Sequence, residues 1–191
     1  MKRLCIIPAR GGSVRISRKN IKPFRGRPII HYPLEIARKS GLFDRIIVST
    51  DDQEIAVVAA EANAEVFMRE YDDGVRGTQD VAREVLLKFR GHLEACVIYA
   101  TSPLLKVSDL ERGFAVRQRF GALYAMSVQT DPLADAGCFY CGSSLAWITE
   151  APLIDSHTVM VPMPSARVCD INTEDDWKRA EVLYDKMRGN K

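Results

Sequence analysis

The sequence predicts an α/β domain built on a mainly parallel sheet with helices in layers on both faces, and three observations predict it. Leu4 to Pro8 is apolar on both faces of an extended segment, the signature of a strand covered from two sides. Similar runs recur down the chain with capped, helix-patterned segments between them, the alternation that builds parallel sheets. The chain has 191 residues, 47% of them apolar, enough for one compact core and too few for two, so a single domain over 1–191 is expected.

Taken in order, the strand at Leu4 to Pro8 opens into a long loop over Arg10 to Arg27, rich in glycine and cations. Pro28 to Ser40 is a helix candidate ended by Gly41, and Arg45 to Thr50 is a second buried strand. Asp51 is expected to cap a helix running through Ala62, with Glu54 closing a capping box. A short strand at Glu65 to Met68, a helix over Thr78 to Arg90 and a strand at Glu94 to Ala100 follow. Ser108 and Glu111, three apart, read as the start of another helix. Leu123 to Gln129 and Gly137 to Cys141 look like strands, and another is expected after His157. Arg167 to Ile171 reads as a last strand. Thr173 with Asp176 starts a closing helix whose Trp177, Ala180, Val182, Leu183 and Tyr184 are expected to cover a sheet face.

Composition excludes several classes. The longest apolar runs, Ile46 to Val48 and Ile55 to Ala60, are far too short for a membrane helix, so no membrane span is expected. Five cysteines form an odd, dilute set unlike a disulfide scaffold, which points to a reducing, cytoplasmic setting. Cys138 and Cys141 form a C-x-x-C, but no second pair completes a zinc site, and Phe139 with Tyr140 suggests a buried strand. The three histidines make no metal or triad spacing and read as structural.

The net charge of +2 hides an asymmetry: the first 34 residues carry nine basic and no acidic side chains. Phe24 is the one aromatic within the basic loop, too few for the stacking platforms of single-strand binders, so no nucleic-acid partner is expected. From Pro8 to Asn20 the strand end instead opens into two glycines and four cations. Glycines let a backbone approach an anion, and Arg and Lys neutralise it at separate points, so the segment reads as a polyphosphate cradle; a solvated basic loop is the plainer alternative. It matches neither the Walker A spacing nor G-x-G-x-x-G. Ser49 to Asp52 places acidic residues at another strand's carboxyl end, where ligands of parallel sheets collect, although Asp51 serves equally as a cap. Thr101 and Ser102 follow the strand ending at Ala100, where hydroxyls can bind a sugar or carboxylate. Asp170 and Asn172 lie two apart; a carboxylate there suits Mg²⁺, or the pair simply begins the last helix.

IIPARGGS-x-RI-x-RKNIKPF (Ile6 to Phe24), SGLFDRIIVSTDDQEIA (Ser40 to Ala56), IYATSPLL (Ile98 to Leu105), DAGCFY (Asp135 to Tyr140) and DINTEDDWKRAE (Asp170 to Glu181) resemble, in order, the motifs of the acylneuraminate cytidylyltransferases, the pseudaminic acid branch most of all. The resemblance implies a three-layer, Rossmann-like nucleotidyltransferase fold. It implies transfer of CMP from CTP to a nine-carbon sialic-acid-like keto sugar acid of pseudaminic or legionaminic type, with release of pyrophosphate and Mg²⁺ as cofactor. Position by position it makes Arg10 and Lys19 the catalytic phosphate contacts, with Ala9, Gly11, Gly12, Ser13 and Asn20 around the nucleotide. Arg69 falls near cytosine and ribose, and Thr78 at a base-contacting hydroxyl. Tyr99, Thr101, Ser102 and Tyr140 fall around the sugar, and Asp170 with Asn172 at the metal.

Three departures stand out. Val14 replaces the family's lysine, which removes one phosphate contact unless Arg15 or Arg18 substitutes for it; Asn172 replaces a second aspartate; and only six residues separate Val128 from Asp135, where relatives carry a longer segment reaching toward a partner subunit. The homodimer that the resemblance implies is therefore left open. A truncated relative that binds nucleotide or a protein partner with little turnover is the alternative expectation.

Overall fold

The computed structural model describes residues 2–70 and 76–189. Seven strands form one sheet: β1 (Arg3–Pro8), β4 (Arg45–Thr50), β5 (Glu65–Met68), β6 (Glu94–Ile98), β7 (Tyr124–Thr130), β8 (Leu133–Ser143) and β9 (Thr158–Pro162), in the order β5-β4-β1-β6-β8-β7-β9. Only β8 runs against its neighbours, so the sheet is mainly parallel, as expected. A two-stranded hairpin, β2 (Pro23–Phe24) with β3 (Arg27–Pro28), stands apart from it.

Alternate residues of each strand feed two cores. Cys5, Ile7, Val48 and Ile98 pack beneath α1 (His31–Ser40), α2 (Gln53–Glu61) and α4 (Val107–Phe120). Leu4, Ile6, Ile47 and Val97 pack beneath α3 (Thr78–Lys88) and the short α5 (Ser144–Ile148). Both faces are thereby covered, the three-layer arrangement expected of parallel strands. Cys138 and Cys141 are buried on β8, and none of the cysteines is disulfide-bonded. No helix among the described residues is long and apolar enough to cross a membrane. The short connection between Val128 and Asp135 is a closed hairpin, with Thr130 paired to Leu133 and Val128 to Asp135.

Several local expectations are corrected. Pro28 belongs to β3, and the first helix starts at His31. Asp52, not Asp51, caps α2, accepting a hydrogen bond from Ile55 N at 3.0 Å, because Asp51 is taken by the Gly11 N–H at 2.8 Å. Glu54 closes no capping box and pairs with Arg18 instead. α4 begins at Val107, and its start is closed by Asp109, which accepts from the Lys106 N–H at 2.9 Å, rather than by Ser108 and Glu111. Arg167 to Ile171 is not a strand: Ser165–Arg167 forms a turn of 3₁₀ helix, and both edges of the sheet lie elsewhere.

The closing helix, α6 (Glu174–Gly189), starts as expected, with Asp176 N donating to Thr173 Oγ1 at 3.2 Å. Its apolar face does not cover the sheet. Trp177, Ala180 and Tyr184 pack on Ile16, Phe24, Ile29 and Tyr32, a third core formed by the basic loop and the hairpin, while Val182 is exposed. Phe24 meets Tyr32, Trp177 and Tyr184 edge to face at 5.3–5.6 Å, contacts that each add about 1 kcal/mol beyond burial. Lys22 pairs with Glu174, and Arg25 with Asp185, along the same seam. α6 therefore clamps the basic loop against the body of the fold.

Candidate active site

A cavity of about 320 Å³, within the range of small-molecule sites, opens where β1, β5 and β6 end. The loop after β1 supplies Arg10, Ser13, Val14, Arg15, Ile16, Lys19 and Asn20 to its wall. Arg69 enters from the end of β5, Arg76, Gly77, Thr78 and Val81 from the start of α3, and Tyr99 to Thr101 from the end of β6.

The loop is held in shape by its own polar groups. Asn20, nearly buried, donates from Nδ2 to the Arg10 carbonyl at 2.9 Å and so ties the end of the loop to its beginning. Arg18, at φ 53°, turns away from the cavity and forks onto Asp52, with Glu54 alongside. That pair holds the Asp52 carboxyl below its ordinary value. Arg18 is thus unavailable as the replacement cation, whereas Arg15 lines the cavity. Among the described residues neither Arg10 nor Arg15 has a carboxylate partner.

Lys19 is the most constrained of the cations. Its Nζ donates to the Ile171 carbonyl at 2.8 Å, a bond spanning 152 positions of the chain. Burial lowers its pKa most; Asp170 opposes that shift, and Arg15 and Arg10 add to it. Three positive groups therefore act on one another across the cavity with the Asp170 carboxylate in range, which leaves an unmet demand for negative charge.

Asp170 and Asn172 lie on the irregular segment before α6, outside the cavity wall, with Asn172 Nδ2 donating to Asp170 Oδ2 at 2.5 Å. The other carboxylate oxygen sits over Gly137, at φ 60°, where a Cβ would come within 3.5 Å of it. The segment is anchored by Arg167, whose NH2 donates to the buried Asp109 at 2.9 Å. Among the described residues no three acidic, histidine or cysteine groups cluster as a complete metal cage. A lone carboxylate close to the cation-lined cavity fits a hard cation that takes one or two carboxylates and fills its shell with phosphate and water oxygens.

Of the residues singled out in the sequence, Arg10, Ser13, Lys19, Asn20, Arg69, Thr78, Tyr99 and Thr101 meet in the cavity. The others do not line it. Ala9 is buried, its N–H bonded to Ser49 O at 2.9 Å. Gly11 spends its N–H on Asp51 and is required for another reason: a Cβ there would strike Asp52 at 2.4 Å. Gly12 lies off the wall. Ser102 is turned inward, its Oγ donating to Cys138 O at 3.3 Å. Tyr140 stands behind Tyr99 and donates to Asp135. Sequence reasoning missed Arg76 and Val81, which carry no motif and reach the cavity only through the fold, and gave no role to Ile16, which lies within the loop motif.

A cytidylyltransferase family model matches residues 4–129, about two thirds of the chain. The chain belongs to the cytidylyltransferase family. Pseudaminic acid cytidylyltransferase of Campylobacter jejuni is 34% identical over 224 aligned positions, covering 96% of this chain and 97% of that protein. The alignment is longer than the chain itself, so that relative carries residues with no counterpart here. The N-acylneuraminate cytidylyltransferase of Streptococcus agalactiae is 34% identical over 56% of this chain and 27% of its own length. Among solved structures, CMP:2-keto-3-deoxy-manno-octonic acid synthetase in complex with CTP superposes with a TM-score of 0.80 at 16% identity, over 98% of this chain and 100% of that one. A Mycobacterium tuberculosis protein in complex with manganese superposes at 0.72 and 17% identity, over 95% of this chain and 98% of that one. At these identities the superpositions establish the nucleotidyltransferase fold. This cytidylyltransferase family member is a nucleotidyltransferase enzyme, and the alternative of a non-catalytic relative is not favoured.

Proposed function

We propose that the enzyme transfers CMP from CTP to the anomeric hydroxyl of a nine-carbon keto sugar acid of the pseudaminic type and releases pyrophosphate. The observation that carries this reading is the set of cations with no carboxylate partner among the described residues, Arg10 and Arg15, converging with Lys19 on one cavity at the strand ends. Its support from outside the site is the near full-length relationship to pseudaminic acid cytidylyltransferase.

In this reading Arg10 and Arg15 pair with phosphate oxygens, and Lys19, fixed by Ile171 O, directs its two remaining N–H groups at the charge that grows on the departing pyrophosphate. Asn20 keeps Arg10 in register. Arg69 and Thr78 face the nucleoside, and Thr101 with the Tyr99 ring faces the sugar. Asp170, with Asn172 beside it, would hold Mg²⁺, which when bound supplies Lewis-acid stabilisation of the phosphate oxygens.

Pyrophosphate release, followed with CTP, MgCl₂ and a panel of keto sugar acids, tests the reading. Release is expected only when CTP and a pseudaminic-type sugar are both present, and to stop on chelation with EDTA. Silence across the panel, or release unaffected by chelation, overturns it. Val14 is 93% exposed on the cavity rim, and Val14→Lys is expected to tighten CTP binding about fivefold in isothermal titration, the worth of one partly solvated charge pair.

A further inference from the structure

The cavity loop depends at one point on a backbone conformation that a side chain must enforce. Arg18, at φ 53°, stands in the left-handed region, which costs a non-glycine residue roughly a factor of ten in population. Its carbonyl accepts from the Ile21 and Lys22 N–H groups, both at 2.9 Å, closing a turn around Lys19 and Asn20. From that turn Lys19 Nζ reaches the Ile171 carbonyl at 2.8 Å, and Asn20 Nδ2 reaches the Arg10 carbonyl at 2.9 Å. Arg18 itself does not line the cavity. Its two terminal nitrogens fork onto Asp52, NH2 to Oδ1 at 2.9 Å, and Glu54, 74% exposed, adds a more solvated contact. Asp52 is held in turn. Its Oδ1 accepts from Ile55 N at 3.0 Å, its own N–H donates to Thr50 Oγ1 at 3.1 Å, and Gly11 packs so closely that a Cβ there would overlap it.

We propose that Asp52 is a positioning residue: by anchoring Arg18 it holds the left-handed turn that presents Lys19 to a polyphosphate and ties Asn20 to Arg10. The inference rests on the nucleotide reading given above. By charge alone, a carboxylate bordering an anion site weakens binding. By shape, this one strengthens it, because without the fork the turn relaxes out of the left-handed region and the cations no longer converge. The two effects have opposite signs, so removing Asp52 separates them.

Sodium tripolyphosphate is the probe, titrated calorimetrically into the unaltered chain, Arg18→Ala, Arg18→Gly and Asp52→Ser. The two Arg18 variants lose the same charge and the same fork, and differ in that glycine adopts positive φ freely. Arg18→Ala is expected to weaken binding about tenfold, and Arg18→Gly to stay within about threefold of the unaltered chain. Serine caps a helix about as well as aspartate but is too short to reach Arg18. Asp52→Ser is therefore expected to weaken binding about tenfold, while the melting temperature falls by no more than about 3 °C.

Tighter binding in Asp52→Ser overturns the proposal, since only the charge of Asp52 would then matter. Binding in Arg18→Ala no weaker than in Arg18→Gly overturns it too, as does an unaltered chain that does not bind tripolyphosphate. Pyrophosphate release from CTP, measured alongside, keeps the two readings apart. The expected order of affinities without any release upholds the inference and overturns the proposed function; release without that order does the reverse.

Discussion

Lys19→Ala is expected to lower kcat/KM for CTP by about two to three orders of magnitude, the cost of losing one preorganised charge at a developing anion. The melting temperature is expected to fall by no more than about 3 °C, because the structural loss is one hydrogen bond to Ile171 O. Folding pushes the Lys19 pKa down through burial, so its protonated form at neutral pH is disfavoured by the folded state. That cost disappears only as the pH rises past the lowered value, so removing the ammonium at neutral pH relieves it and offsets the lost bond. The same shift sets a pH signature. The alkaline limb of kcat/KM is expected below the ordinary lysine value of 10.5, and Lys19→Arg is expected to move it upward. A limb unmoved by Lys19→Arg, or a loss of folding in proportion to activity, would show that Lys19 is a structural cation.

Glu94→Ala is expected to have the largest effect on stability, about 3–5 kcal/mol, or roughly 10 °C in melting temperature. Glu94 is 2% exposed and meets both Arg3 at 2.7 Å and Arg117, whose side chains are 17% and 11% exposed. It joins the start of β6 to β1 and to the last turns of α4. Removing the carboxylate leaves two guanidinium groups close together with little water to screen them, and the penalty is that uncompensated charge rather than the lost contact. Thermal unfolding checks it, with Glu94→Gln expected to fall between the two because the amide still accepts. The site lies at the opposite, carboxyl ends of these strands, so kcat/KM of the folded fraction is expected to hold. A change below about 1 kcal/mol would mean that water reaches both arginines.

The first strands were legible because each is a short run rich in apolar and β-branched residues between turn and helix signals. Leu4 to Pro8, Arg45 to Thr50 and Glu65 to Met68 match the observed strands to within a residue. The cap of α2 was not, since Asp51 and Asp52 are equally suited to capping and only the approach of Gly11 decides between them. Arg167 to Ile171 reads as a strand from Val168, Cys169 and Ile171, yet the segment joins no sheet and begins in a turn of 3₁₀ helix. The helical period of Trp177, Ala180 and Tyr184 was read correctly and its partner wrongly: the apolar residues within the basic loop, Ile16 and Phe24, needed cover more than the sheet did.

The amino-acid pattern by itself determined the family, the alternation of strands and helices, and a concentration of positive charge after the first strand, because each is written in neighbouring residues. Only the tertiary structure decided which of those charges face the cavity. Arg18 goes to Asp52, 34 positions away, Lys19 is held at the cavity wall by Ile171, 152 positions away, and Arg15 is left facing the cavity. A side chain's identity states what it can bond to. Which partner it meets depends on how separate segments pack, and that is a property of the whole fold.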